Sequence, residues 1–212
     1  MKKLSIVFLV SAVSTFWFAG CSKEPLNHLT AEETRIYVTN YDSVANFSAY
    51  KTYSIADSVA VIDNGQHSRA LSASDQAYID AVNKYMQQRG YVLTTANASP
   101  DLGLTVNRIY NTATSVVTYN DYYDTYYGSY WDPYYWGYGG YGYYVPYGYS
   151  VYQVTEGAVS VDMLDLKNAK STGKIGLVWN GLVRGEGIFA ESNANAQVKA
   201  LFDQSSYLKA NN

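Results

Sequence analysis

The sequence predicts an α+β domain, a mostly antiparallel sheet covered on one face by two helices. Short segments that alternate apolar and polar side chains are typical of strands, and they stand on either side of an amphipathic segment. The later strands are separated by short turns, which favours antiparallel pairing. A 34-residue tract rich in Tyr and Gly, residues 119–152, interrupts this pattern. We predict that the tract is a long hairpin insertion in a single domain, residues 35–212.

The strand predictions rest on alternation and on β-branched and aromatic residues. The segment 101–110 is the clearest, because Leu102, Leu104 and Val106 alternate with Gly, Thr and Asn. Residues 56–71 have no clear period and are predicted to be a loop, and residues 168–172 are predicted to be a turn. The predicted strands are 35–41, 51–55, 91–95, 101–110, 115–119, 158–166 and 174–184.

Two segments have the pattern of amphipathic helices. In residues 73–89, apolar side chains recur at three- and four-residue spacing, and Ser72 with Asp75 fits the capping box. Gly90 follows at the position where a left-handed residue ends many helices. Residues 191–202 carry a second apolar stripe that includes Val198 and Phe202. Both helices are predicted to lie on the same face of the sheet.

The N-terminus predicts export and lipid attachment. Lys2 and Lys3 precede an apolar run that is shorter than the roughly 20 residues of a membrane span, as in a secretory signal. The run ends in Phe-Ala-Gly before Cys21, which resembles a bacterial lipobox. We therefore expect a signal peptide at 1–20, acylated Cys21 and a flexible tether at 21–34. The alternative is a plain secretory signal, with Cys21, the only cysteine, incidental.

The charge of the chain disfavours nucleic acid as a partner. The formal net charge is −3, and it becomes more negative when Lys2 and Lys3 leave with the signal. Affinity for nucleic acid comes mainly from Lys and Arg side chains that neutralise phosphates. The expected partners are instead a membrane, contacted through the lipid anchor, and an envelope protein or a glycan.

The aromatic tract is the strongest candidate for a contact surface. Residues 119–152 hold 15 of the 24 tyrosines and two tryptophans, without Lys or Arg. Such rings suit sugar stacking and protein contacts, but they also suit packing on one another and on the sheet. A contact surface, a glycan site, a packed excursion and a disordered segment are all compatible with this composition. The candidate contact residues are Tyr122, Tyr126, Tyr130, Trp131, Tyr134, Trp136, Tyr141 and Tyr144.

The motifs of catalysis and metal binding are incomplete. Residues 48–51 match S-x-x-K, but they lie at a strand entrance and lack the partner motifs. Residues 137–142 match G-x-G-x-x-G without a strand before or a helix after them. His28 and His67 have no Cys or His at ligand spacing. We expect no catalytic residue, no metal and no cofactor, so the protein is predicted not to be an enzyme.

Two short motifs resemble acceptor sites for protein O-glycosylation in Bacteroidetes. Residues 42–44 and 57–59 both read Asp-Ser-Val. Each lies in or next to a predicted loop. Ser43 and Ser58 are therefore candidate acceptors, and the sequence leaves open whether either of them is modified.

Four stretches resemble the bacterial lipoproteins grouped under domain of unknown function 4136. They are NFSAYKTYS at 46–54, SPDL at 99–102, GAVSVDMLD at 157–165 and VWNG at 178–181. Their order and spacing are similar to the family over most of residues 37–203. The resemblance implies an envelope lipoprotein without an established catalytic activity. We expect a non-enzymatic structural or protein-interaction role at the outer membrane, with carbohydrate or peptidoglycan binding through the insertion as the alternative.

Overall fold

The computed structural model describes residues 29–63, 66–110, 117–118, 131, 133–146, 150–151 and 157–211. The predicted signal peptide, Cys21 and most of the predicted tether lie outside these residues. Among the described residues, no helix has the length and apolar character needed to cross a bilayer.

Three helices and eleven strands form the described part of the chain. The helices are α1 (Ala73–Gln88), α2 (Ala169–Thr172) and α3 (Glu191–Gln204). The strands in the first half are β1 (Ile36–Tyr41), β2 (Thr52–Ile55), β3 (Val59–Asp63), β4 (Gln66–Ala70), β5 (Val92–Leu93) and β6 (Leu102–Tyr110). The later strands are β7 (Val117–Thr118), β8 (Gly142–Tyr144), β9 (Ser150–Val151), β10 (Ala158–Asp165) and β11 (Lys174–Arg184).

Nine of these strands form one mixed sheet, so the prediction of a mostly antiparallel sheet is wrong. Its central path is β1-β11-β10-β6-β2-β5. The β1–β11, β11–β10 and β10–β6 pairs are antiparallel. In contrast, four pairs are parallel. Strands β2 and β3 each pair with β6, β5 pairs with β2, and β8 pairs with β11.

The parallel pairs among β2, β3, β5 and β6 have a topological cause. Helix α1 lies between β3 and β6 in the chain, and a strand that returns through a crossover helix pairs in parallel. The predicted loop at 56–71 also proves wrong, because it contains the antiparallel hairpin of β3 and β4. The predicted turn at 168–172 forms the single helical turn α2.

The two long helices cover one face of the sheet, as predicted. Helix α1 begins with the predicted capping box, in which Asp75 N donates to Ser72 Oγ and Ser72 N donates to Asp75 Oδ2. The buried Asp75 carboxylate also forms an ion pair with Arg108 Nε on β6, at 2.9 Å. Gly90 follows with φ of 87°. One acidic residue therefore stabilises the start of the helix and joins it to the sheet.

The core beneath the helices contains tyrosines that are buried with their hydroxyls. Tyr50, Tyr78 and Tyr91 are 2–3% exposed. Tyr91 donates a hydrogen bond to Phe47 O, and Tyr78 donates to Gln197 of α3. Burial raises the pKa of all three phenols, and the nearby Asp165 carboxylate raises the pKa of Tyr50 further.

These tyrosines predict alkaline unfolding. Each folded-state pKa exceeds the unfolded value of about 10, so their contribution to stability is complete below pH 10 and is lost as the pH rises above it. The free energy of unfolding, measured with urea between pH 8 and 11.5, is expected to be flat up to about pH 10. It then falls by up to about 1.4 kcal/mol per pH unit for each tyrosine. Tyr78→Phe is expected to reduce that slope; an unchanged slope would contradict this assignment.

Candidate functional site

The second face of the sheet is covered by part of the aromatic tract. We call residues 131 and 133–146 the aromatic segment; residues 133–136 form a 3₁₀ turn and residues 142–144 form β8. Trp131 and Trp136 are 0% and 3% exposed. They pack in a hydrophobic cluster with Ile109, Leu164 and Leu182 on the sheet. The two long helices, α1 and α3, and the aromatic segment therefore cover opposite faces of one sheet.

Specific bonds hold the aromatic segment in place. Tyr138 donates a hydrogen bond to Leu166 O at 2.8 Å, and Tyr143 donates to Trp131 O. The ring of Tyr135 meets both Trp131 and Trp136 edge to face, with centroids 5.1 and 4.8 Å apart. These contacts favour a fixed position on the sheet over a freely moving loop.

A row of buried polar side chains lies under Trp131, in the middle of this face. Asp162 on β10 stands between Asn180 of β11 and Thr105 of β6 in the sheet register. Asn107 Nδ2 and Asn180 Nδ2 both donate to the Asp162 carboxylate, the first at 2.9 Å. Asn107 Oδ1 in turn accepts from Trp131 Nε1 at 3.1 Å. The polar row therefore anchors the aromatic segment to the sheet.

The predicted contact residues have different environments. Tyr122, Tyr126 and Tyr130 lie outside the described residues, and Tyr141 is partly buried. Trp131 and Trp136 are core residues and are therefore removed from the exposed surface. Tyr134 and Tyr144 are 75% and 51% exposed. Among the candidates that the structure describes, these two tyrosines and part of Tyr141 are open to solvent.

The exposed Tyr134 ring extends from a turn whose other aromatic side chains pack on the sheet. It lies in the 3₁₀ turn between Pro133 and the inward-facing Tyr135 and Trp136. A Cβ atom added to Gly139 would lie 2.2 Å from the Tyr134 ring, so the ring rests directly on the backbone of this glycine. A side chain at position 139 would displace the ring.

Tyr144 lies at one end of a groove formed by two strands that meet end to end. Strand β1 runs antiparallel to β11, and its last residue, Tyr41, is opposite Trp179. Strand β8 runs parallel to β11 and ends with Tyr144 opposite Gly176. The groove opens between these two ends, where the β10–β11 register also shifts by one residue. Bulges of this kind are common beside binding sites because they redirect side chains.

The groove has a volume of about 360 Å³ and a mixed lining. Lys174 Nζ lies 5.6 Å from the centre of the Tyr144 ring, a cation–π arrangement. Asp165 Oδ2 accepts from Tyr50 at 3.0 Å, and both Asp165 oxygens accept from Asn168. The lining residues are Asp42, Tyr144, Pro146, Asp165, Asn168, Thr172, Lys174, Gly176 and Val178.

The other motifs are used in the fold. Ser48 donates to Asn46 Oδ1, whereas the Lys51 amine points to Asn211 O, so residues 48–51 do not place serine and lysine together. Gly137 and Gly140 have φ values of 80° and 84° in a turn that leads into β8 rather than into a helix. In the described part of the chain, no group of three metal-ligating side chains is present. Ser43 is exposed in a turn, and Ser58 is half-buried and donates to Asp57.

The fold and these surfaces define an α+β domain with a mixed sheet, helices on one face and an aromatic cover on the other. The family model "Domain of unknown function (DUF4136)" matches residues 37–205, and the chain belongs to this family.

A DUF4136 family protein from Bacteroides thetaiotaomicron has a similar structure, with 27% identity and a TM-score of 0.66. The alignment covers 82% of this chain and 97% of that one. The PelC dodecamer from Paraburkholderia phytofirmans aligns at 11% identity and a TM-score of 0.40, over 84% and 99% of the two chains. A PDZ domain protein from Parabacteroides distasonis aligns at 12% identity and a TM-score of 0.40. That alignment covers 82% of this chain and 37% of the other. No curated protein matches the chain.

Proposed function

We propose that the protein is a non-enzymatic lipoprotein of the cell envelope that acts as a structural or protein-interaction component. Acylated Cys21 holds the folded body at the outer membrane after residues 1–20 are removed. The sequence supports this anchor through its charged start, its short apolar run and its lipobox-like end. The aromatic tract is a hairpin insertion in this proposal.

The observation that best supports the interaction role is the exposed ring of Tyr134, which rests on the backbone of Gly139. Tyr134 is 75% exposed, while its neighbour Trp136 is 3% exposed. A ring held in place loses little conformational entropy when a partner covers it, and tyrosine offers both an apolar face and a hydroxyl. The turn therefore suits contact with another envelope protein.

The hydrogen bonding of the acidic side chains supports a non-catalytic role. Asp162 is bound by two asparagine amides and is completely buried. Asp101 Oδ2 accepts from the Lys51 backbone N–H at 2.7 Å, and its Oδ1 lies 3.5 Å from Lys167 Nζ. Carboxylates held in this way stabilise the backbone and the sheet, which is a structural use of charge.

The lipid anchor is tested by changing Cys21 to serine. We expect the wild-type protein to partition with the outer membrane and to gain the mass of a diacylglycerol and an acyl chain. Cys21→Ser is expected to keep the unmodified mass and to leave the membrane fraction. Ser22→Ala is the matched control and should partition as wild type does. A Cys21→Ser protein that stays membrane-bound would contradict the proposal.

The interaction role is tested by a photo-crosslinking amino acid placed at residue 134 in living cells. We expect crosslinking to a discrete envelope protein, because the ring at this position is exposed on a rigid turn. Val44 is 86% exposed on a different surface and serves as the control position. Equal crosslinking from both positions, or none from residue 134, would contradict the role of Tyr134.

A second candidate function is carbohydrate or peptidoglycan binding, and the half-exposed Tyr144 ring favours it. The ring lies beside a lysine amine and at the end of a groove. Because Trp131 and Trp136 are buried, such binding would use tyrosines rather than tryptophans.

A further inference from the structure

We propose that the groove between the ends of β1 and β8 is a binding site for one neutral pyranose unit of a glycan. This site deepens the second candidate function and rests on it. It combines Tyr144 from the aromatic segment with Asp42, Asn168 and Lys174, which lie outside that segment.

The size and position of the groove suit one sugar ring. Its volume of about 360 Å³ lies at the lower end of the range for small-ligand sites, about 300–1,000 Å³. It lies at the edge of the sheet, between the ends of β1 and β8. Five of the nine residues that line it lie in strands β8, β10 and β11, which are fixed more firmly than the tips of loops.

The Tyr144 ring provides an apolar face for the C–H bonds of a pyranose. It is 51% exposed, and the Lys174 amine lies 5.6 Å from its centre. An aromatic face next to polar groups matches a sugar, which has an apolar face and hydroxyls around its rim.

Hydrogen-bonding atoms remain available around this ring. Asp42 Oδ1 accepts from Val44 N at 3.0 Å, which leaves Oδ2 as an acceptor within the described residues. Asn168 gives both its backbone and its side-chain N–H groups to Asp165, so its Oδ1 remains an acceptor. Lys174 supplies ammonium donors. Adjacent sugar hydroxyls can therefore donate to the acceptors and accept from the lysine.

The charges of the groove select against acidic sugars. Two carboxylates, those of Asp42 and Asp165, face one ammonium group on Lys174. Asp165 accepts hydrogen bonds from Tyr50 and Asn168, which fix its carboxylate in the wall of the groove. A uronic acid would bring a further negative charge into this site. A neutral hexose or N-acetylhexosamine fits the charge of the groove better.

The site is tested with the full-length chain in a zwitterionic, sugar-free detergent. The probes are methyl glucoside, methyl mannoside, methyl galactoside, N-acetylglucosamine and galacturonate at millimolar concentration. Saturation-transfer NMR detects binding, and titration gives the affinity. We expect at least one neutral probe to bind and galacturonate to bind more weakly. Tyr144→Ala and Lys174→Met are each expected to weaken binding by about tenfold.

Tyr134→Ala is the matched control, since it removes an exposed tyrosine of the same segment outside the groove, and it should bind as wild type does. Binding lost in Tyr134→Ala and kept in Tyr144→Ala would overturn the groove assignment but not carbohydrate binding. Binding of galacturonate alone would overturn the proposed sugar class. Failure of all five probes to bind wild-type protein would overturn the site and the second candidate function. The lipid anchor and the protein-interaction role have their own tests at Cys21 and Tyr134.

Discussion

Replacing Trp179 by alanine is expected to lower the free energy of unfolding by about 3–5 kcal/mol. Trp179 is completely buried in the middle of β11, and its Nε1 donates to Ser205 Oγ at 2.9 Å. Its ring packs on Phe202 of α3, with centroids 5.6 Å apart. The substitution removes a large ring, leaves a cavity and leaves Ser205 Oγ with the Tyr207 hydroxyl but without the indole donor. Urea denaturation should show a lower midpoint with an unchanged slope.

One further variant separates packing from hydrogen bonding at Trp179, and another is a surface control. Trp179→Phe keeps an aromatic ring and loses the bond to Ser205, so a smaller loss of about 1–2 kcal/mol is expected. Tyr134→Ala removes an exposed ring and should change stability by less than about 0.5 kcal/mol. A loss below 1 kcal/mol in Trp179→Ala would show that β11 and α3 do not share this core.

The helices were predictable because their signals are local. Ser72, Asp75 and Gly90 mark the ends of α1 within the chain itself, and the apolar spacing of α1 and α3 identifies the buried face. The strands β6, β10 and β11 were predictable from alternation for the same reason. Their antiparallel pairing followed from the short connection between β10 and β11.

Strand direction in the first half required information that is not local. The predicted order of elements already placed a helix between the early strands and β6. That order permits a parallel crossover, but the hairpin of β3 and β4 lies in a segment without clear periodicity. Strand β3 has apolar side chains on both of its faces, so apolar and polar residues do not alternate along it. Ala60 and Val59 of β3 are buried on opposite faces.

The candidate site was predicted only in part. Composition singled out Tyr134 and Tyr144, but it cannot separate them from Trp131 and Trp136, since exposed and buried aromatic residues alternate within a few positions. The groove was not predictable, because Asp42 and Lys174 lie far apart in sequence. They meet only because β1 and β8 lie along the same edge of β11.

The residues that carry the family resemblance bind to one another in the fold. Tyr50 donates to Asp165, which joins the first of the four stretches to the third. A Cβ atom on Gly181 would lie 2.6 Å from the Trp179 ring, so the glycine in VWNG allows the tryptophan to pack. These contacts show that Tyr50, Asp165, Trp179 and Gly181 have structural roles, so a match to these motifs identifies the fold.

Asp162 connects the sheet to the aromatic segment through Asn107, and its replacement by alanine is expected to lower the free energy of unfolding by about 2–5 kcal/mol. The carboxylate is completely buried and accepts from Asn107 Nδ2 and Asn180 Nδ2. Alanine leaves both donors without this acceptor in a site closed to water. Since Asn107 also accepts from Trp131 Nε1, its movement should loosen the aromatic segment. We expect a lower urea midpoint and a red shift of tryptophan emission under native conditions.

Asp162→Asn is the matched control, because it keeps the volume and one acceptor oxygen and removes the charge. Its loss of stability should be about half that of Asp162→Ala, with a smaller emission shift. Equal losses in the two variants would show that the charge, not the pair of acceptors, stabilises the polar row. A normal emission spectrum in destabilised Asp162→Ala would show that the ring contacts and the hydrogen bonds of Tyr138 and Tyr143 hold the aromatic segment without the polar row. In that case Tyr134 and Tyr144 would keep their positions without the polar row, and the buried aspartate would serve only the sheet.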